Sequence, residues 1–88
     1  MRIQDLLWDD ENIEHIVAHR VEMDEVEDVC FGRNLIERVG EGKHIILGRT
    51  EEGRYLFVVL AQKEPGLFRV ITARDMTQAE RHQFSKRK

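Results

Sequence analysis

The chain from residue 34 onward consists of four short apolar runs separated by glycine-bearing connectors, and this pattern constrains the fold more than any other. The runs are rich in β-branched and aromatic residues and comprise Leu35–Val39, His44–Arg49, Arg54–Gln62 and Leu67–Ala73. Because connectors this short favour hairpins, we expect the runs to form an antiparallel meander. Within the third run, Tyr55–Ala61 is apolar on both faces, so it is expected to be the most buried strand.

Before the meander, a short apolar stretch is followed by a segment whose apolar residues recur at helical spacing. Ile3–Trp8 is short and moderately alternating, which suits an edge strand, although the start of a helix is an alternative. Asp9 or Asp10 can cap a helix that runs to about His19. His15 and His19 then lie four residues apart on one flank, but the sequence offers no obvious third ligand, so no metal site is expected.

A second helix is expected after a break at Arg20 and Val21. Its apolar stripe comprises Val26, Val29 and Cys30. Gly32 follows at a position where helix ends favour a left-handed residue, so we expect it to cap the helix in that conformation. Cys30 is the only cysteine, which excludes an internal disulfide and favours a buried thiol in a reducing compartment.

The stretch Val70–Phe84 joins the end of the last strand to a third helix. Thr77 and Glu80 have the spacing of a capping box. Arg74 therefore falls at the junction, where a planar cation can bind phosphate or carboxylate; a solvated surface arginine is the alternative. Residues 1–88 are thus expected to form a single α+β domain, with an antiparallel four- to five-stranded sheet, two N-terminal helices and one C-terminal helix.

Charge is divided unevenly along the chain. Residues 1–31 carry two arginines and ten carboxylates, for a net −8, whereas residues 32–88 carry twelve basic and seven acidic residues, for a net +5. The basic C-terminal part suits contact with nucleic acid, while the acidic part could shield that site or attract a basic partner. No stretch resembles a signal peptide or a bilayer-spanning segment, so we expect a cytoplasmic protein without membrane contact.

Common catalytic signatures are absent: the sequence has no GxxxxGK loop, no GxGxxG turn and no GxSxG elbow. The remaining charged residues suit RNA cleavage without a metal or other cofactor. In that reaction the ribose 2′-hydroxyl attacks the adjacent phosphate while a base, an acid and phosphate-binding cations assist. The candidates are Arg49, Arg54, Arg69, Arg74 and Arg81, with His19, His44, His82 and Glu80 as possible proton carriers.

Three segments resemble the BrnT-type toxins, which are the ribonuclease partners of type II toxin-antitoxin pairs. They are WDDENIEHIVAHRV (Trp8–Val21), LGRTEEGRYLFVV (Leu47–Val59) and VITARDMTQAERHQF (Val70–Phe84). The resemblance implies a RelE-like fold and an endoribonuclease that cleaves RNA either free or on the ribosome. It also implies a cognate antitoxin with a ribbon-helix-helix DNA-binding segment, so that DNA is contacted only through the antitoxin.

The resemblance carries over to individual residues. It matches His19 to the family's histidine after the first helix, Arg54 to a glycine-arginine turn and Arg74 to an alanine-arginine junction. It matches Thr77, Glu80 and Arg81 to a motif of the last helix. Arg74 and Arg81 are therefore the expected phosphate and transition-state ligands, and His19 or His82 the proton carrier. The expected supporting RNA contacts are Arg54, Arg69 and Lys86.

Four positions depart from the family pattern. Ala18 stands where a basic residue often precedes the histidine. Arg20 stands where a glycine is usual, so it is expected in a left-handed conformation or in a different turn. His82 and Phe84 replace an arginine and a tyrosine of the usual last helix, and the second change removes a hydroxyl that could donate a proton. The alternative function is therefore a noncatalytic or weakened module that binds a protein or nucleic acid through its basic C-terminal face.

Overall fold

The protein folds into one five-stranded sheet and three helices, as seen in a computed structural model that describes the backbone of residues 2–87 and the side chains of residues 2–86. In chain order the elements are β1 (Asp5–Leu7), α1 (Asp10–Ala18), α2 (Met23–Phe31), β2 (Asn34–Gly40), β3 (Lys43–Arg49), β4 (Tyr55–Glu64), β5 (Leu67–Asp75) and α3 (Gln78–Arg87). The strand order across the sheet is β1-β5-β4-β3-β2. The α+β class and the four-stranded meander predicted from periodicity are confirmed.

One strand pair runs in a direction that the sequence did not predict. β1 pairs with β5 in parallel, with Leu6 opposite Phe68, whereas every other neighbouring pair is antiparallel. The expectation of a wholly antiparallel sheet is therefore wrong for β1. Because two helices and the rest of the meander separate β1 from β5, no hairpin fixes their relative direction.

Alternate residues of the strands divide into two cores on opposite faces of the sheet. The larger core contains Ile46, Leu56, Val58 and Leu60 and packs against α1 and α2 through residues such as Ile16 and Val29. The smaller core lies under α3 and consists of Leu47, Met76 and Phe84, with Leu35, Ile45, Tyr55 and Phe57 packed against it. β4 contributes to both cores, as its apolar residues on both faces predicted, but β3 has four buried residues and β4 three, so the expectation that Tyr55–Ala61 is the most buried strand is not confirmed.

The start of α1 is fixed by a reciprocal cap. Asp9 Oδ1 accepts from the Asn12 backbone N–H at 2.8 Å, and Asn12 Oδ1 accepts from the Asp9 N–H at 2.9 Å. The buried Asn12 side chain also donates to the Leu7 carbonyl at 2.8 Å, which ties β1 to the helix. This arrangement confirms Asp9 as the capping residue.

Arg20 adopts a left-handed backbone conformation, with φ at 61°. This confirms the expectation that an arginine here occupies a position suited to glycine, at a cost of roughly 1 kcal/mol. The Arg20 carbonyl accepts a hydrogen bond from Arg54 Nη1 at 2.7 Å, so the turn between α1 and α2 is attached to the start of β4.

Gly32 ends α2 in a different way from the one predicted. Its φ of −100° and ψ of −157° are extended, so the expectation of a left-handed cap is wrong. Glycine is needed for space instead, because a Cβ atom at this position would lie 2.6 Å from the Asp28 carbonyl oxygen. The Asn34 side chain satisfies the helix end by donating to the carbonyls of Val29 at 2.8 Å and Cys30 at 3.2 Å.

Cys30 is buried in the larger core, where desolvation, with a smaller contribution from Glu27, raises the pKa of its thiol to about 12. The thiol therefore stays protonated and acts as a small apolar side chain. Over residues 2–87, no helix combines the length and the apolar composition that crossing a bilayer requires.

Candidate functional site

Three arginines stack on two neighbouring aromatic rings on the α3 side of the sheet. Arg74 Cζ lies 3.8 Å from the ring centre of Phe57, and Arg81 Cζ lies 4.2 Å from that of Tyr55. Arg49 Cζ lies 5.8 Å from the same Tyr55 ring. The register of the sheet explains this cluster, because Arg49 is the cross-strand neighbour of Tyr55 and Arg74 that of Phe57. We call these five residues the arginine-aromatic cluster.

Arg74 is held firmly by the first turn of α3. Its Nη1 and Nη2 donate to the two carboxylate oxygens of Glu80 at 2.9 and 3.0 Å, and Nη1 also donates to the Asp75 carbonyl at 3.0 Å. Glu80 in turn accepts from the Thr77 N–H at 2.9 Å, which completes the predicted capping box. Hydrogen bonding from Arg74, and then from Thr77, lowers the pKa of Glu80, so the carboxylate stays ionised at neutral pH.

Arg49 and Arg81 differ from Arg74 because they have no acidic partner among the described side chains. No carboxylate of the described side chains lies within ion-pair distance of either guanidinium group. Both residues are exposed. Each lines a shallow surface depression: one contains Met76, Gln78, Arg81, His82 and Ser85, and the other contains Arg33, Arg49, Thr50 and Phe84. A free guanidinium group at the surface is the donor that phosphate recognition requires.

Arg54 and Arg69, the other two predicted RNA contacts on strands or turns, have internal acidic partners. Arg54 binds Glu25 at 2.9 Å and Asp75 at 2.8 Å. Arg69 binds Asp9 at 3.1 Å and Glu11 at 2.7 Å. These contacts attach the acidic helices to the sheet, so the structure gives both arginines a role in holding the fold.

The predicted proton carriers lie on opposite faces of the sheet. His82 is exposed and shares a depression with Arg81, and Lys86 lines the next depression along α3. His19 follows the end of α1, on the other face of the sheet, with its ring centre 6.0 Å from that of His15. His44 is buried against Phe68 in the larger core, and desolvation lowers its pKa. Of these histidines, only His82 shares a depression with Arg81.

A metal site is not evident on this surface. Within residues 2–87, no group of three or more histidine, cysteine, aspartate or glutamate side chains is arranged to hold a metal ion. The ionised carboxylates nearest to the cluster are instead bound by arginines, as with Glu80 and Asp75.

Tyr55 carries no signal in the sequence that singles it out as a functional residue. Its position becomes meaningful only when the β3-β4 hairpin places Arg49 beside it and α3 places Arg81 on its ring. The Phe84 ring contacts Tyr55 edge to face, with the ring centres 6.0 Å apart. Phe84 thus packs directly against the only tyrosine of the chain.

Comparison with known proteins places the chain in a family. One family model, described as "Ribonuclease toxin, BrnT, of type II toxin-antitoxin system", matches residues 8–80. Neither the curated proteins nor the solved structures include a match. The matched segment contains four of the five residues of the arginine-aromatic cluster, namely Arg49, Tyr55, Phe57 and Arg74, and it ends one residue before Arg81.

Proposed function

Since this chain belongs to the BrnT family of ribonuclease toxins of type II toxin-antitoxin systems, we propose that it is an endoribonuclease that cleaves RNA by 2′-hydroxyl attack without a metal. Its activity is neutralised by a protein antitoxin that carries a ribbon-helix-helix segment. The fold is of the RelE type, and the protein acts in the cytoplasm on RNA that is free or bound to the ribosome.

The observation that carries this proposal is the unpaired charge of Arg49 and Arg81. Arg54, Arg69 and Arg74 are bound by carboxylates, whereas Arg49 and Arg81 have no such partner among the described side chains, share one aromatic ring and face solvent. A phosphodiester that approaches the cluster meets two cations that do not first have to break an ion pair. Such pre-positioned donors stabilise the charge that grows on the phosphoryl oxygens during attack.

Arg74 serves as a third phosphate ligand from a fixed position. Glu80 and the Asp75 carbonyl occupy both Nη atoms on one side, but no described residue accepts from its Nε–H. Because Tyr55 and Phe57 are two residues apart on β4, the Arg81 and Arg74 guanidinium groups stand on rings about 7 Å apart. One nucleotide linkage can therefore contact both arginines.

His82 is the base in this proposal. It follows Arg81 directly in α3, it is exposed, and it borders the same depression. A histidine near neutral pH can accept the proton of the 2′-hydroxyl as the oxygen attacks phosphorus. His19, on the opposite face of the sheet, contributes to the turn between the helices and not to this step.

The deciding experiment is an RNA cleavage assay with the purified chain in EDTA, with and without ribosomes. The wild type is compared with Arg81→Ala and with Arg38→Ala, a control that removes an exposed arginine of β2 away from the cluster. We expect products ending in cyclic or 3′-phosphate from the wild type and the control, and little product from Arg81→Ala. A folded wild-type chain that does not cleave RNA would favour the binding-module alternative.

A further inference from the structure

The position of Tyr55 points to a catalytic role that the proposed function leaves open. We propose that the Tyr55 phenol is the acid of this site, which donates its proton to the departing 5′ oxygen of the cleaved RNA. The inference rests on the proposed function and adds a named group for one of its steps. Three observations support it: the position of the Tyr55 ring, the absence of a hydrogen bond from its hydroxyl to any described residue, and the charges around the ring.

Contacts on three sides fix the Tyr55 ring. Arg81 covers it at 4.2 Å and Arg49 approaches it at 5.8 Å. Phe84, which is buried, meets it edge to face with an interplanar angle of 78°. A ring held in this way presents its hydroxyl in a defined direction, so a proton donor here is positioned before substrate arrives.

The Tyr55 hydroxyl is free to act on a ligand. None of the described residues forms a hydrogen bond with it, and it is not among the buried polar atoms that lack a partner. The hydroxyl therefore reaches solvent. A buried tyrosine hydroxyl usually finds a hydrogen-bond partner in the protein, whereas the hydroxyl of the half-buried Tyr55 is open to water or to a ligand.

The charges around Tyr55 suit the transfer of a proton away from it. When the phenol donates its proton, a negative charge forms on its oxygen. Arg49 and Arg81 lie against the same ring, and no carboxylate of the described side chains is within ion-pair distance of either, so two cations stabilise that charge. The same two cations attract the phosphodiester, which brings the leaving oxygen to the phenol.

The atoms and electrons of the step balance within the RNA and the two side chains. The 2′ oxygen forms a bond to phosphorus while its proton passes to a nitrogen of His82. The bond between phosphorus and the 5′ oxygen breaks, its electron pair stays on that oxygen, and the Tyr55 proton joins it. The products are a 2′,3′-cyclic phosphate and a 5′-hydroxyl, after which the phenolate takes a proton from water and His82 releases one.

The test is Tyr55→Phe in the full chain, since this change keeps the ring under Arg81 and removes only the hydroxyl. Two substrates are compared: an RNA that the wild type cleaves, and the same RNA with sulfur replacing the bridging 5′ oxygen at the cleaved bond. A thiolate departs without being protonated, so it needs no acid. We expect Tyr55→Phe to slow cleavage of the oxygen substrate by about 100- to 10,000-fold. The sulfur substrate should be cleaved at a rate within a few-fold of the wild type.

Two controls separate this role from binding and from folding. A fully 2′-O-methylated RNA, which cannot be cleaved, should bind Tyr55→Phe and the wild type equally well. Arg81→Ala should slow cleavage of both substrates, because phosphate stabilisation is needed whatever the leaving group. The recovery of the sulfur substrate also shows that Tyr55→Phe is folded.

Three outcomes would overturn the inference. Normal cleavage of the oxygen substrate by Tyr55→Phe, with Arg81→Ala still defective, removes the phenol from the mechanism but leaves the proposed function intact. An equal loss on both substrates assigns Tyr55 a role other than proton donation. A wild-type chain that cleaves neither substrate removes the proposed function and this inference together.

Discussion

Arg54 and Asp75 form a two-pronged ion pair between the turn before β4 and the last residue of β5, with Nε–Oδ1 at 2.8 Å and Nη2–Oδ2 at 3.2 Å. The same guanidinium group also reaches Glu25 of α2 and the Arg20 carbonyl through Nη1. One side chain therefore connects α2 and the turn after α1 to the end of β5 and the turn before β4. Its partners lie far apart in sequence, so this contact belongs to the tertiary structure alone.

Replacing Arg54 with alanine should destabilise the fold. The change leaves two carboxylates and one carbonyl without their shared donor, and we expect a loss of about 1–3 kcal/mol. Arg49→Ala is the matched control, because Arg49 is exposed and has no acidic partner among the described side chains. Urea unfolding followed by circular dichroism measures both. Equal midpoints for the two variants would show that the Arg54 contacts contribute nothing to stability.

The Arg74–Glu80 pair should make stability depend on pH in the acid range. Hydrogen bonding from Arg74 lowers the folded-state pKa of Glu80 below its ordinary value of 4.5. The pair therefore contributes fully above pH 4.5 and loses its contribution as the pH falls through the lower folded-state pKa. Glu80→Gln keeps a side chain that can cap the helix but has no charge.

We expect Glu80→Gln to be less stable than the wild type by about 1 kcal/mol at pH 7. The two proteins should converge as the pH falls through the folded-state pKa of Glu80, below which the wild-type carboxylate is protonated too. Thermal midpoints recorded every half pH unit check this expectation. A gap between the two curves that stays constant with pH would mean that the lost stability comes from packing and not from charge.

Arg20→Gly should stabilise the protein. The backbone at this position is left-handed, and glycine removes the roughly 1 kcal/mol that an L side chain costs there. Part of this gain is lost to the greater freedom of glycine in the unfolded chain, so a rise of a few degrees in the thermal midpoint is expected. Arg20→Ala retains the Cβ atom and serves as the control. A thermal midpoint that rises equally in both variants would trace the effect to the lost charge.

Gly32→Ala should destabilise the protein, since the added methyl group would meet the Asp28 carbonyl oxygen at 2.6 Å. A backbone oxygen cannot move away as a flexible side chain can, and we expect a loss of about 1–3 kcal/mol. Gly40→Ala is the control, because nothing lies within 4 Å of its added Cβ atom. Chemical denaturation of both variants gives the comparison, and a tolerated Gly32→Ala would mean that the end of α2 can shift.

The salt dependence of RNA binding should identify the arginines that contact phosphate. Arg49→Ala and Arg81→Ala should each lower the slope of log affinity against log salt by about 0.7 for single-stranded RNA. Arg69→Ala should change the slope less, because Asp9 and Glu11 already neutralise that guanidinium group. Fluorescence anisotropy with a 2′-O-methylated RNA at several salt concentrations measures all three. A full change of slope for Arg69→Ala would restore it as a phosphate contact.

Features that depend on residues close together in the sequence could be predicted, whereas features that depend on contacts between distant residues could not. The strands, the Asp9 cap and the capping box of Thr77 with Glu80 follow from spacing over a few residues, which the structure preserves. The parallel direction of β1 and the extended Gly32 depend on neighbours that only the folded chain brings together.

The same distinction applies to the candidate site. Residue type and resemblance pointed to Arg74, Arg81 and His82, and the structure places these on the α3 side of the sheet. Nothing in the sequence states which arginines meet carboxylates, so the pairing of Arg69 with the α1 cap could not be foreseen. The role of Tyr55 could not be predicted either, because Arg49 and Arg81, which lie over its ring, come from different elements.

Glu80 connects the start of α3 with the orientation of Arg74. The carboxylate that fixes the first turn of α3 is also the one that grips the Arg74 guanidinium, so helix and cation move as one mechanical unit. A ligand that tilts the first turn of α3 would redirect Arg74 without touching it. The orientation of the Arg74 guanidinium group therefore depends on the position of the first turn of α3 as well as on any ligand that binds Arg74 directly.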